Sequence, residues 1–344
     1  MMKQKMVMCL LAGVLVLGIG GCGAQEVEVP EVENVETAEE EPVPEETAEE
    51  EGDEQEKTDA EDQLKEVPTV DDAAESGKTE PEETEAVSAS VVYEDGGQIT
   101  LDPSWTYADH SKINSGAAVL YKAAENRKEI VVGVNAGHGT SGGTKVKTLC
   151  HPDGSAKVTG GTTAAGATEA VAVSSGMTFN DGTPESSVTL RMAQILKEKL
   201  LAAGYDVLML RDGDDVQLDN VARTVICNNA ADCHIALHWD STTSNKGAFY
   251  MSVPDVASYK NMEPVKSHWQ QHNALGASLV SGLKGAGVKI FSGGSMAMDL
   301  TQTSYSTVPS IDIELGDKAS DHSQATLNQL GDGLVAGVKA YFGQ

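Results

Sequence analysis

The sequence predicts a mixed, mostly parallel α/β sheet with helices on both faces, preceded by a disordered acidic linker. Three observations predict it. Several short runs, among them Ile130–Asn135 (IVVGVN) and Cys233–His238 (CHIALH), are almost wholly apolar instead of alternating. That is the pattern of strands buried on both faces. Longer segments between them repeat apolar residues three and four apart, as helices do. A strand–helix rhythm of this kind closes into a parallel sheet through crossover connections. The third observation is charge: residues 26–95 hold 29 of the 53 acidic residues and only 3 of the 24 basic ones.

In chain order, Lys3 and Lys5 precede a run of 14 apolar or glycine residues, Met6–Ile19. Such a run is too short to span a bilayer as a helix and suits the core of a signal peptide, here 1–21. It ends in Ile19-Gly20-Gly21-Cys22, which resembles the lipobox of bacterial lipoproteins. The resemblance implies a lipid anchor on the Cys22 thiol. Residues 22–89 are mainly Glu, Asp, Pro, Thr, Ala and Val, a composition that buries too little apolar surface to fold. Like charges extend such a segment, so it reads as a spacer between membrane and domain. The acidity also argues against a nucleic-acid partner, whose electrostatic footprint would be basic.

Order is expected from about residue 90. An N-terminal extension, 90–128, carries strand-like runs at Val91–Tyr93, Gln98–Leu101 and Ala117–Tyr121. The main domain, 129–344, opens with the Ile130–Asn135 strand. Glu185–Ala203 has helical spacing at Val188, Met192, Ile195, Leu196 and Leu200 and stops at Gly204. Strand Tyr205–Leu210, helix Leu218–Asn229, and strands Cys233–His238 and Ala248–Val253 follow. Helix Asn273–Ala286, strand Ile311–Glu314 and helix Asp321–Phe342 complete the set. Cys150, Cys227 and Cys233 have no metal or disulfide spacing and read as buried free thiols.

In parallel sheets the ligand site lies beyond the carboxyl ends of the strands. His138 follows the first core strand, His238 ends a later one and Glu314 ends the last, so the three can converge. Two imidazoles and a carboxylate are a common catalytic zinc set. Glu185, opening the helix after the first strand, is placed to be that carboxylate, leaving Glu314 as general base and acid. Glu169 is the alternative third ligand, and His151 is another loop residue that could approach the metal. His234 shares a strand face with His238 but lies roughly 13 Å away, which favours a packing role.

These residues carry a resemblance to the zinc-dependent N-acetylmuramoyl-L-alanine amidases of the Amidase_3 family. Val132–Gly139 (VGVNAGHG) resembles the family's opening DAGHG turn, and Glu185–Ala193 (ESSVTLRMA) its E-x-x-x-x-L-x-x-A helix start. Gly204–Arg211 (GYDVLMLR) is similar to G-Y-x-V-x-x-T-R. Arg223 to Asp240 resembles the R…AN…AD…S-I-H-A-N stretch, and Val308–Gly316 (VPSIDIELG) resembles P-x-x-x-x-E-x-G. The resemblance implies a Zn2+ cofactor on His138, Glu185 and His238, with Glu314 as the catalytic carboxylate. The implied reaction is hydrolysis of the peptidoglycan amide between N-acetylmuramic acid and L-alanine, outside the cytoplasm. A non-catalytic wall-binding or hydrolase-regulating lipoprotein of the same fold is the competing reading, and the four filled positions tell against it.

The sequence departs from the pattern in four places. Asn135 stands where the family has Asp, which leaves an acceptor to support the metal ligands. Trp239 and Asp240 replace a small residue and Asn after the second His, and Asp317 replaces an apolar residue at the expected rim. The 46 residues Gly139–Pro184 far exceed an ordinary connection. This insert reads either as a lid or groove beside the metal or as a hairpin that only decorates it.

Overall fold

The computed structural model describes residues 93–344. The expected signal peptide, Cys22 and the whole of the expected acidic linker, 22–89, lie outside those residues, as do Val91 and Val92. Among the described residues, no helix is long and apolar enough to cross a membrane.

The uniformly apolar runs form the centre of the sheet. Strands β3 (Val131–Ala136), β6 (Asp206–Met209), β7 (Cys233–Asp240) and β10 (Ser310–Asp317) are parallel and adjacent, in the order β6-β3-β7-β10. The extension adds β1 (Gln98–Thr100) and β2 (Ala117–Tyr121) as antiparallel strands beyond β6. On the other edge, β8 (Ala248–Ser252) runs antiparallel to β10 and is parallel to β9 (Ile290–Ala297). The eight-stranded sheet is therefore mixed and mostly parallel.

Alternation along each strand sends side chains to two helical layers. Val132, Val134, Ile235, Leu237, Ile311 and Ile313 pack against α1 (Glu185–Ala202), α4 (Val265–Gly285) and α6 (Gln324–Tyr341). The opposite face meets α2 (Asn220–Ala230), through Leu208, Ala222 and Ile226. Gly282, Gly333 and Gly337 let α4 and α6 touch; a Cβ on Gly282 would stand 2.2 Å from the Gly333 carbonyl. The small connecting helices are α3 (Ala257–Lys260) and α5 (Thr301–Tyr305).

Helix α4 and strand β9 depart from the sequence reading, and the short helices α3 and α5 were not expected from it. Helix α4 begins at Val265 instead of Asn273, because its first two turns bury only Val265 and His272 and leave little periodicity. Strand β9 has no counterpart in the prediction. It is an edge strand with Gly293 and Gly294 inside it and positive φ at Ser292 and Gly294, so its pattern is neither apolar nor alternating.

The insert is ordered by a buried carboxylate. Its hairpin pairs β4 (Lys147–Leu149) with β5 (Glu169–Val171). Asp299, fully buried after β9, accepts from His151 Nε2 (3.1 Å), Lys157 Nζ (3.0 Å) and the Val158 amide (2.7 Å), and from the Thr159 hydroxyl. Burial works against that charge, but the His151 and Thr159 hydrogen bonds, the Val158 amide and Lys157 outweigh it and hold the Asp299 carboxyl far below the usual range. Asp299→Ala leaves Lys157 buried without its partner. We expect it to cost about 3–5 kcal/mol and to open residues 139–184 to limited proteolysis; an unchanged urea midpoint and digestion pattern would refute this role.

Candidate metal centre and cleft

The turn after β3 sets the first site residue. His138 and Gly139 both adopt left-handed backbone, with φ of 65° and 69°, reversing the chain sharply at the strand end. Such a conformation costs a non-glycine residue of order 1 kcal/mol and persists where surroundings dictate it. Two buried guanidinium groups do so here. Arg223 on α2 donates to the Ala136 carbonyl (3.1 Å), the His138 carbonyl (2.8 Å) and Asn135 Oδ1 (2.9 Å). Arg211, after β6, donates to the Ala136 (3.2 Å) and Gly137 (3.0 Å) carbonyls and to the Ser186 carbonyl (2.8 Å). Burial, joined at Arg223 by the charge of Arg211, lowers these pKa values to about 10 for Arg211 and about 9 for Arg223. Both remain cationic at neutral pH. The Asn135 side chain thus accepts from Arg223 and serves the clamp that holds the turn.

Glu185 opens α1 and is 2% exposed. Its carboxylate does not cap its own helix. Oε2 accepts from the Met177 amide (2.8 Å) and Oε1 from the Trp239 amide (3.0 Å), tying the end of the insert to β7. His238 lies on β7 facing α2, in register with Glu314 on β10. Gly137 leaves it room, since a Cβ there would lie 2.3 Å from His238 Cε1.

The three residues meet. His138 Nε2 is 2.9 Å and His238 Nδ1 3.2 Å from Glu185 Oε1, and the two nitrogens are 3.1 Å apart. The ligand atoms all lie within 4.8 Å of one another. The outer nitrogen of His138 is already engaged: Nδ1 meets the Ser174 carbonyl at 2.9 Å. Two imidazole nitrogens and one carboxylate oxygen that converge in this way are a donor set that fits a divalent metal. Among these protein groups alone, burial opposes charge, yet His138 and His238 hold the Glu185 carboxyl well below its ordinary range. Burial likewise opposes a charged His238, but Asp312, Glu185 and Glu314 outweigh it and raise the imidazole to about 10.

Glu314 stands beside this cluster. Its Oε2 is shut off from solvent and has no hydrogen-bond partner among the described residues. Burial, then the neighbouring Asp312 carboxylate, push its pKa well above the ordinary value. The four residues face one cleft of about 510 Å³. Its far wall is the insert, through Gly161, Thr163 and Ser174, with Met298 and Leu300 beside them.

The insert therefore builds the cleft and bonds two of the three converging residues, as the groove reading expects. The structure does not bring the alternatives for the third position to this cluster. Glu169 is exposed on β5, and His151 is buried against Asp299 and Ser155. His234 is fully buried, as the packing reading has it. Trp239 turns into the core against Phe179, and Asp240 pairs with Lys246. Asp317, expected at the rim, is fully buried and accepts from the Ala319 amide (3.0 Å), because the loops on either side fold over it. The sequence reading missed Asp312, Ser174 and Asp299. Only Asp312 carried a signal, since alternation places it on the same strand face as Glu314.

Fold and cleft together define a mixed, mostly parallel α/β protein with a two-His, one-Glu donor set at the carboxyl ends of its strands. The chain belongs to the Amidase_3 family of N-acetylmuramoyl-L-alanine amidases, whose model matches residues 132–337. Among solved structures, the fold is similar to that of the N-acetylmuramyl-L-alanine amidase Ami1 of Mycobacterium smegmatis. That match has 18% identity and a TM-score of 0.51, over 64% of this chain and 99% of that one. The apo form of Ami1 from Mycobacterium abscessus is 20% identical with a TM-score of 0.49, over 62% of this chain and 99% of that one. Identities this low make the likeness one of fold. No match is found among curated protein sequences.

Proposed function

We propose that this chain is a zinc-dependent peptidoglycan hydrolase that cleaves the amide between N-acetylmuramic acid and L-alanine of the stem peptide. The observation that carries the proposal is the convergence of His138, Glu185 and His238 within 4.8 Å beside the partly buried Glu314. His138, Glu185 and His238 would hold the zinc. Zinc bound there supplies an acidified water and polarises a carbonyl.

The remaining chemistry is the chain's own. Glu314 takes the proton of the attacking water and passes it to the leaving amine of L-alanine. A raised pKa suits that exchange, because the best general acid–base group titrates near the working pH. Arg223 and Arg211 keep the His138 turn in place. The insert walls the cleft through Gly161, Thr163 and Ser174.

Domain roles follow from the same reading. Residues 129–344 form the catalytic domain, with 139–184 inserted and 90–128 extending its sheet. Residues 1–21 act as a signal peptide, Cys22 takes the lipid, and the acidic linker lets a membrane-anchored enzyme reach the wall outside the cytoplasm.

The test is digestion of purified peptidoglycan by the full chain, read by mass spectrometry. Free stem peptides beginning at L-alanine are expected with Zn2+ and not after chelation. Unchanged glycan-linked peptides under both conditions would rule out the amidase reading.

A further inference from the structure

Beside the three ligand candidates stands a carboxylate that no family motif quoted above specifies. Strand β10 runs parallel to β7, with Asp312 opposite Ala236 and Glu314 opposite His238. Residues two apart on a strand share a face, so both carboxylates look into the cleft, and both line it. Asp312 Oδ2 lies 3.7 Å from His238 Nε2. The other ring nitrogen, Nδ1, faces His138 and Glu185. Asp312 Oδ1 has no hydrogen-bond partner among the described residues. A largely buried carboxylate without a hydrogen-bonded partner costs the fold free energy, and among the described residues the cation nearest it is the back of the His238 ring.

We propose that Asp312 is a positioning residue for the metal centre, holding the His238 proton on Nε2 so that the Nδ1 lone pair is free for the ion. An imidazole has one proton to place when neutral, and the group behind the ring decides where it sits. A carboxylate behind a metal-bound His also raises its basicity, and losing such a partner costs about ten- to a hundredfold in metal affinity. The inference rests on the zinc reading above and adds a fifth residue to it.

The experiment measures Zn2+ affinity of the full chain by competition with a chromophoric chelator, for wild type, Asp312→Leu, Asp312→Asn and His238→Ala. Asp312→Leu is expected to bind about ten- to a hundredfold more weakly, with Asp312→Asn between it and wild type. The visible spectrum of the Co2+-loaded protein should change in both. Affinity of Asp312→Leu within about twofold of wild type overturns the inference and leaves the zinc site standing. If Asp312→Leu does not fold, the same comparison is decided by Asp312→Asn, where unchanged affinity and an unchanged Co2+ spectrum overturn the inference. Wild-type binding that is weak and indifferent to His238→Ala overturns the zinc reading and this inference together.

Discussion

Glu314→Gln is expected to lower peptidoglycan amide hydrolysis by about a hundred- to ten-thousandfold, the usual worth of a positioned acid–base group, while zinc affinity stays near wild type. The two effects separate because Glu314 is not among the converging ligand atoms. Gln keeps the shape of the side chain and loses the proton exchange. The same change removes an uncomfortable charge: Glu314 Oε2 has no partner, and Asp312 lies on the same strand face. The urea midpoint of the variant should therefore match or exceed that of wild type. Stem-peptide release measured against time, together with a chelator titration, checks both parts. A variant retaining more than about a tenth of the wild-type rate would remove Glu314 from the acid–base role.

Acid should unfold this domain through two histidines that take no part in the cleft. His234 on β7 and His272 on α4 are fully buried. Neither nitrogen of His234 has a partner, and His272 uses only Nδ1, which accepts from the Ser310 amide at 3.0 Å. Burial, then the charges of Arg223 and His272, lower His234 to about 3; burial, then His268, lowers His272 to about 3. Both stay neutral in the fold, whereas the unfolded chain takes up protons near pH 6.5. Below that pH the unfolded state binds more protons, so stability falls as pH drops from about 6.5 toward 3. Each group contributes about 1.4 kcal/mol per pH unit, or about 5 kcal/mol for the pair at pH 4.5. That is of the order of the whole stability of a domain. Urea unfolding should report stability falling as pH drops from about 6.5 to 4.5. His234→Leu should remove about half the slope at little cost at pH 7, because it deletes a buried group that had no hydrogen bond to lose. An unaltered slope in that variant would refute the assignment.

Much of this architecture was legible in the residues. The runs IVVGVN and CHIALH are central strands because only strands covered on both faces tolerate unbroken apolar stretches. His138, His238 and Glu314 could be placed because each follows or ends such a strand, and parallel strands bring those ends to one edge. Glu185 was found through the helix it opens. The departures at Asn135 and Asp317 were visible as substitutions, but their partners were not: Arg223 for the first, the loop amides for the second.

By itself the sequence determined most of the strand–helix order and singled out the four residues that face one cleft, because both are written as local periodicity and as position relative to a strand end. The tertiary structure alone decided the rest. The insert has no apolar period, and its path over the cleft depends on Asp299, far along the chain, gathering Lys157, Thr159 and His151. The His138 turn is held by guanidinium groups from two other elements, and Asp312 becomes a neighbour of His238 only through the register of β10 on β7. Periodicity reports which face of one element is buried; which side chains then meet across elements is settled by packing.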